Sequence, residues 1–136
     1  MAVFDLDGTL MDGFSASHFF RHRLRNRDIQ AEEIARTLRL GIDAMRGAVE
    51  FEDFLIATSR SFKGRSDDEL MEVANEIFES EIAARIFPQM RALVLAHQAR
   101  DHTVVLASSS TRYQAEPMAK ALGVEPVSYT HLTLPT

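Results

Sequence analysis

The stretch that most constrains this chain is its beginning, where the apolar run Ala2-Val3-Phe4 leads straight into Asp5-Leu6-Asp7-Gly8-Thr9-Leu10. A short uninterrupted apolar run reads as a fully buried strand, the kind found in parallel sheets. If extended geometry persists through Asp7, side chains alternate and both carboxylates project from one side of the chain. They then stand at the strand's C-terminal end, where open α/β sheets bind their ligands. Gly8 allows the sharp turn that follows. Two carboxylates so close repel unless a proton or a cation separates their charges. A hard divalent ion such as Mg2+, which takes oxygen ligands and keeps several waters, suits them. A lone Asp-x-Asp is more often just an acidic turn. The apolar strand before it and the Gly-Thr-Leu after it favour the functional reading.

A second buried strand is expected at Thr103-Val104-Val105-Leu106-Ala107, rich in β-branched residues. Ser108-Ser109-Ser110-Thr111 follows at once, and a helix from about Arg112 to Leu122 ends at Gly123. Hydroxyls and free N–H groups at a helix N-terminus suit an anion, although serines are also ordinary helix caps.

Between the strands the chain is mostly helical. Ser15 or Ser17 is expected to cap a first helix carrying Phe19, Phe20 and Leu24, made strongly basic by Arg21, Arg23, Arg25 and Arg27 with His18 and His22. Alternating arginines spread around a helix, so a solvated face is favoured over a surface that steers anions. Asp28 is expected to cap a second helix in which Ile34, Leu38 and Ile42 recur every four residues. Phe51, Phe54, Leu55 and Phe62 mark a shorter third piece ending near Gly64. Ser66 and Glu69 have capping-box spacing and open the clearest helix, with Leu70, Val73, Ala74, Ile77, Phe78 and Ile82 on one face. Pro88 interrupts that pattern, and a further helix from Met90 to His97 carries Leu93, Val94 and Ala96. The histidines lack metal-ligand spacing and read as surface or packing residues. The order of elements is an α/β plan: a parallel sheet with a helical excursion after its first strand.

Val3 to Leu10 resembles motif I of the haloacid dehalogenase (HAD) superfamily of phosphohydrolases. The resemblance implies that Asp5 is the nucleophile and a Mg2+ ligand. It implies that Asp7 is the general acid/base, with its backbone carbonyl also on the metal. The serine-rich turn resembles motif II, which implies that Ser108 holds a phosphate oxygen and that the Ser109 N–H is a second donor; Ser109 and Ser110 are the alternatives for the Ser108 position. Ile86-Phe87-Pro88, the stretch from Val104 to Ser110, and Arg112-Tyr113-Gln114-Ala115-Glu116-Pro117 resemble subfamily IB, which contains phosphoserine phosphatase relatives. Subfamily IA is the nearest competitor.

The implied fold is a HAD-type Rossmann-like parallel sheet, present here as its N-terminal part, with a helical C1-type cap inserted after the first strand. On this reading residues 1–12 and 86–126 are core and 13–85 are cap. The implied activity is Mg2+-dependent hydrolysis of a small phosphate monoester through an aspartyl-phosphate. Two departures stand out. Phosphoserine phosphatases place a Glu just after motif I, whereas Met11-Asp12-Gly13-Phe14-Ser15 has none. The family's motif III Lys and motif IV acidic residues are expected beyond residue 126, and neither Lys63 nor Lys120 is a stand-in. The alternatives are a phosphotransferase or mutase of subfamily IA type, or a non-catalytic HAD domain of a protein fused to a glycerolipid acyltransferase.

Composition bounds the rest. With 136 residues, 46% hydrophobic and 26% charged, the chain has the make-up of one globular domain. It has no Cys, no basic leader with an apolar run, and no stretch near the roughly 20 apolar residues of a membrane helix. A cytoplasmic location is expected. The net charge of −5 makes no case for nucleic acid. Val127-Ser128-Tyr129-Thr130-His131-Leu132-Thr133-Leu134-Pro135-Thr136 is uncharged and matches the in-frame translation of a transposase adapter used in sequencing libraries. Residues 127–136 are therefore expected to be a foreign tail outside the fold, and the chain a fragment inactive as it stands.

Overall fold

The computed structural model describes residues 1–48, 53, 56, 60 and 62–128. In chain order the elements are β1 (Ala2–Phe4), α1 (Ser15–Arg25), α2 (Ala31–Met45), α3 (Asp67–Ile77), α4 (Pro88–Gln98), β2 (Val104–Ser108), α5 (Arg112–Leu122) and β3 (Glu125–Ser128). A π-helical turn, Phe78–Ile82, and a 3-10 turn, Ala83–Arg85, extend α3 towards α4.

The three strands are parallel and lie in the order β1-β2-β3. Ala2 pairs with Val104 and Phe4 with Leu106, while Val105 pairs with Glu125 and Ser108 with Ser128. Strand order follows chain order, so right-handed crossovers put α4 and α5 on the same face of the sheet. Gln98 at the end of α4 fastens them there, its Nε2 donating to the carbonyls of Leu122 and Gly123, each at 3.0 Å. Phe4, Leu106, Val94, Ala115 and Met118 share one buried cluster. On the opposite face Val3 is 56% exposed. The α/β class and the parallel sheet are as expected.

Several local signals act as chemistry dictates. Ser66 Oγ accepts the Glu69 N–H and the Glu69 carboxylate accepts the Ser66 N–H, both at 3.2 Å, which starts α3. Pro88 occupies the first position of α4, where its missing N–H costs nothing. Gly123 ends α5 in the left-handed conformation, φ 66°.

Others act differently. β1 stops at Phe4, so extended geometry does not run through Asp7. Ser108 is the last residue of β2 rather than the first of the turn. The cap position of α1 is Phe14, not Ser15 or Ser17, and that of α2 is Gln30, not Asp28. Asp28 instead takes the guanidinium of Arg65 at 2.5 Å. The apolar stripe of α2 is not a buried face: no residue of α2 is buried, and Leu38 and Ile42 are at least half exposed. On α4 only Val94 is buried, while Leu93 and Leu95 face outwards. Of the third helical piece, Phe51, Phe54 and Leu55 lie outside the described residues, and Phe62 packs edge-on against Tyr113 with ring centroids 5.4 Å apart. Strand β3 crosses the boundary expected at residue 126, with Val127 opposite Ala107.

Candidate active site

The loop after β1 is built around one carbonyl. Leu6 O accepts the N–H groups of Leu10 at 3.1 Å and Met11 at 3.3 Å. Leu6, Leu10 and Met11 are all buried, which leaves Asp5 exposed and Asp7 half-buried on either side of Leu6. The loop is then stapled to the chain returning from the helices. Phe87 N–H donates to Leu10 O at 2.9 Å and Asp12 N–H to Arg85 O at 3.1 Å. The chain thus leaves the sheet region and returns to it through adjacent backbone, with Met11 bridged to Ile86.

The two aspartates have different surroundings. No hydrogen bond or ion pair to Asp5 is found among the described residues, and its side chain stands in solvent one residue beyond the strand. Asp7 is held at both oxygens. Ser15 N–H donates to Oδ1 at 2.7 Å, and Ser110 Oγ donates to Oδ2 at 3.0 Å. Ser15 is the first residue of α1, a helix with no acidic residue in its first turn. Asp7 therefore supplies the negative charge that the positive end of the helix favours. The helix cap that sequence spacing assigned to Ser15 or Ser17 comes instead from a carboxylate 8 residues away.

Parallel pairing of Phe4 with Leu106 brings the ends of β1 and β2 side by side, so Asp5, one residue past β1, lies near Ser108, the last residue of β2. Ser108 is 3% exposed and its Oγ accepts the Ser110 N–H at 3.0 Å. A hydroxyl that accepts in this way keeps a proton to donate. Ser109 is exposed on the turn and Ser110 half-buried. The turn feeds α5, where the Gln114 side chain accepts both the N–H of Thr111, at 2.8 Å, and its hydroxyl, at 2.9 Å. Asp5, Asp7 and the Ser108–Ser110 turn thus gather at one end of the sheet. The contact of Ser110 with Asp7 was not legible beforehand, because it joins residues 103 positions apart.

Several charged residues near the start of α5 are mutually engaged. Arg112 holds Glu116 at 2.9 Å and Asp67 at 3.2 Å, and its partnership with Glu116 holds the guanidinium above its ordinary value. Tyr113 donates its hydroxyl to the same Asp67 oxygen at 2.7 Å. Burial first, then that hydrogen bond, push the phenol up to about 12. The basic first helix is largely neutralised from within: Arg23 pairs with Glu33 at 2.5 Å, and Arg25 with Glu81 at 3.3 Å. His18 Nδ1 donates to Glu81 at 2.9 Å from an almost fully buried position. His22 is also buried, and its Nε2 lies 2.8 Å from Asn26. Among the described residues no group of three or more His, Cys, Asp or Glu is placed to hold a metal ion.

A model of the haloacid dehalogenase-like hydrolases matches residues 2–135. The chain belongs to that family. The match continues across the segment expected to be foreign. Among curated proteins the chain is similar to a histidinol-phosphatase of Neisseria meningitidis serogroup C (strain 8013), 28% identical over 134 residues, covering 97% of this chain and 60% of the relative. Among solved structures it is similar to a protein of unknown function from Bordetella pertussis Tohama I, with a TM-score of 0.79 and 25% identity over 93% of this chain and 57% of the other. The chain therefore spans about three-fifths of the length of these relatives. No helix among the described residues is long and apolar enough to cross a membrane.

Proposed function

We propose that this chain carries the nucleophilic half of a phosphatase of subfamily IB acting on a small phosphate monoester, with Asp5 and Asp7 as catalytic carboxylates. The observation that carries the reading is their asymmetry: Asp5 stands bare at the strand end, while Asp7, two residues on, is held at both oxygens. One is free to attack and the other is fixed to handle a proton. Asp5 Oδ forms a bond to phosphorus as the bond to the ester oxygen breaks, and Asp7 gives the departing oxygen its proton. Water then attacks the aspartyl-phosphate, Asp7 takes its proton, and phosphate leaves with Asp5 restored. Ser108 and the Ser109 N–H hold phosphate oxygens during both steps.

The donor set fits Mg2+. Asp5, and Asp7 through its backbone carbonyl, offer oxygen alone, which a hard ion that keeps several waters prefers. When bound, the ion neutralises charge on the transferring group. We read residues 1–12 and 86–126 as core and 13–85 as the substrate-selecting cap. The reading refers to the protein over the length its relatives have, of which this chain spans about three-fifths.

The test is Mg2+-dependent phosphate release, measured on this chain and on a protein extended to the relatives' length, each beside its Asp5→Asn variant. Release that depends on Asp5 supports the reading, and release unaffected by Asp5→Asn overturns it. A substrate panel should include histidinol phosphate, after the relative's name, and phosphoserine. Because Met11-Asp12-Gly13-Phe14-Ser15 lacks the Glu that meets an amino-acid amine, phosphoserine is expected not to be the best substrate. A clear optimum at phosphoserine would refute that.

A further inference from the structure

Asp7 is gripped from two separate parts of the chain. Its Oδ1 takes the Ser15 N–H at 2.7 Å, from the start of the helical insertion; its Oδ2 takes the Ser110 hydroxyl at 3.0 Å, from the turn after β2. An aspartate's terminal torsion is broad and roughly two-fold, so a carboxylate bound through one oxygen still swings. A donor on each oxygen fixes its plane. Ser110 is itself fixed, because its N–H is bound to Ser108 Oγ at 3.0 Å, and Ser108 is paired into the sheet. A group that transfers a proton works only when aimed at the oxygen it serves.

We infer that Ser110 is a positioning residue for the acid–base step, holding the Asp7 carboxylate in the orientation from which it protonates the leaving oxygen. The inference rests on the phosphatase reading above. Ser110 makes no bond to substrate in this role. In the step it serves, the Asp7 O–H bond breaks, its proton goes to the ester oxygen, and that oxygen keeps the electron pair of the broken P–O bond. Each Asp7 oxygen has a second lone pair, so the serine and the transferring proton do not compete for the same site. One short turn would then do two jobs, with Ser108 on the phosphate and Ser110 on the acid.

The test separates acid catalysis from general damage by changing the leaving group. 4-Nitrophenolate departs without a proton, whereas an alkoxide needs one. Ser110→Ala should lower kcat/KM for an alkyl phosphate about tenfold, a share of the roughly 10²–10⁴ that general acid–base catalysis supplies, and leave 4-nitrophenyl phosphate within about twofold. Ser110→Thr, which keeps the hydroxyl, should restore the alkyl substrate. Equal losses on both substrates would mean a merely structural role and overturn the inference.

A second measurement needs no turnover. In thermal melts of the 136-residue chain, Ser110→Ala and Asp7→Ala should together lower Tm by less than the sum of their separate effects, since the second change finds the contact already gone. Additive shifts would show that the two side chains do not meet, and would overturn the inference whatever the kinetics. If neither wild-type substrate turns over in the extended protein, the phosphatase reading falls and the acid-positioning role with it, while the melts still decide the contact.

Discussion

Ser15 is fully buried, and its hydroxyl oxygen finds no hydrogen-bond partner among the described residues. A buried hydroxyl without a partner is a cost, of about 1–3 kcal/mol by desolvation. Its backbone, by contrast, is occupied with Asp7. Ser15→Ala therefore removes the cost and keeps the contact. Chemical denaturation is expected to show stability unchanged or raised by up to about 1 kcal/mol; a fall beyond about 0.5 kcal/mol would mean that the hydroxyl has a partner. The sequence marked Ser15 or Ser17 as a helix cap because serine before an apolar run usually is one. The true use of Ser15 lies in its N–H, which every residue but proline shares, so no spacing rule could find it. Asp5 and Asp7 were legible for the opposite reason. Their identity and their place after an apolar strand are local facts.

At the scale of elements, His18 and Arg25 of α1 both reach Glu81 in the turn after α3. The π-helical turn Phe78–Ile82 sets Glu81 there, 63 residues along the chain from His18. The hydrogen bond from His18 outweighs the opposing effect of burial and, with the charge of Arg25, holds the Glu81 carboxyl below its ordinary value of 4.5. A carboxyl lowered on folding adds stability above its unfolded value and loses it as pH falls through the folded one. Melts of wild type and Glu81→Gln from about pH 6 to about pH 3 should therefore converge below 4.5, with wild type the more stable above it. Parallel curves would refute the linkage. The elements themselves were read in proportion to how local their causes are. Ser66 with Glu69 and Gly123 start or stop helices by their own chemistry where expected, whereas Pro88, expected only to interrupt the pattern before it, opens α4 two residues ahead of the expected start at Met90. The repeat Ile34-Leu38-Ile42 is just as regular, yet α2 buries none of it, because periodicity describes a helix and not its neighbours.

For the molecule as a whole, the core is the cluster in which Phe4 and Leu106 of the sheet meet Met118 and Ala115 of α5. Met118 and Leu106 are fully buried. Met118→Ala should cost about 2–5 kcal/mol, measured by denaturant unfolding; a cost under about 1 kcal/mol would place Met118 outside the core. The α/β plan was legible because the apolar runs of β1 and β2 bracket a helical stretch. The exposure of Val3 was not, since it sits in the same apolar run as Phe4 and alternation within the strand gives it the other face. The register of that sheet also bears on how the chain is made. Ala2 pairs with Val104, so a ribosome releasing roughly 5–20 residues per second lets go of Asp5 and Asp7 several seconds before the strand that must flank them exists. Until β2 and the turn holding Ser110 emerge, the two carboxylates ride on an unpaired, apolar leader. That is the interval in which a nascent chain of this design most needs a chaperone.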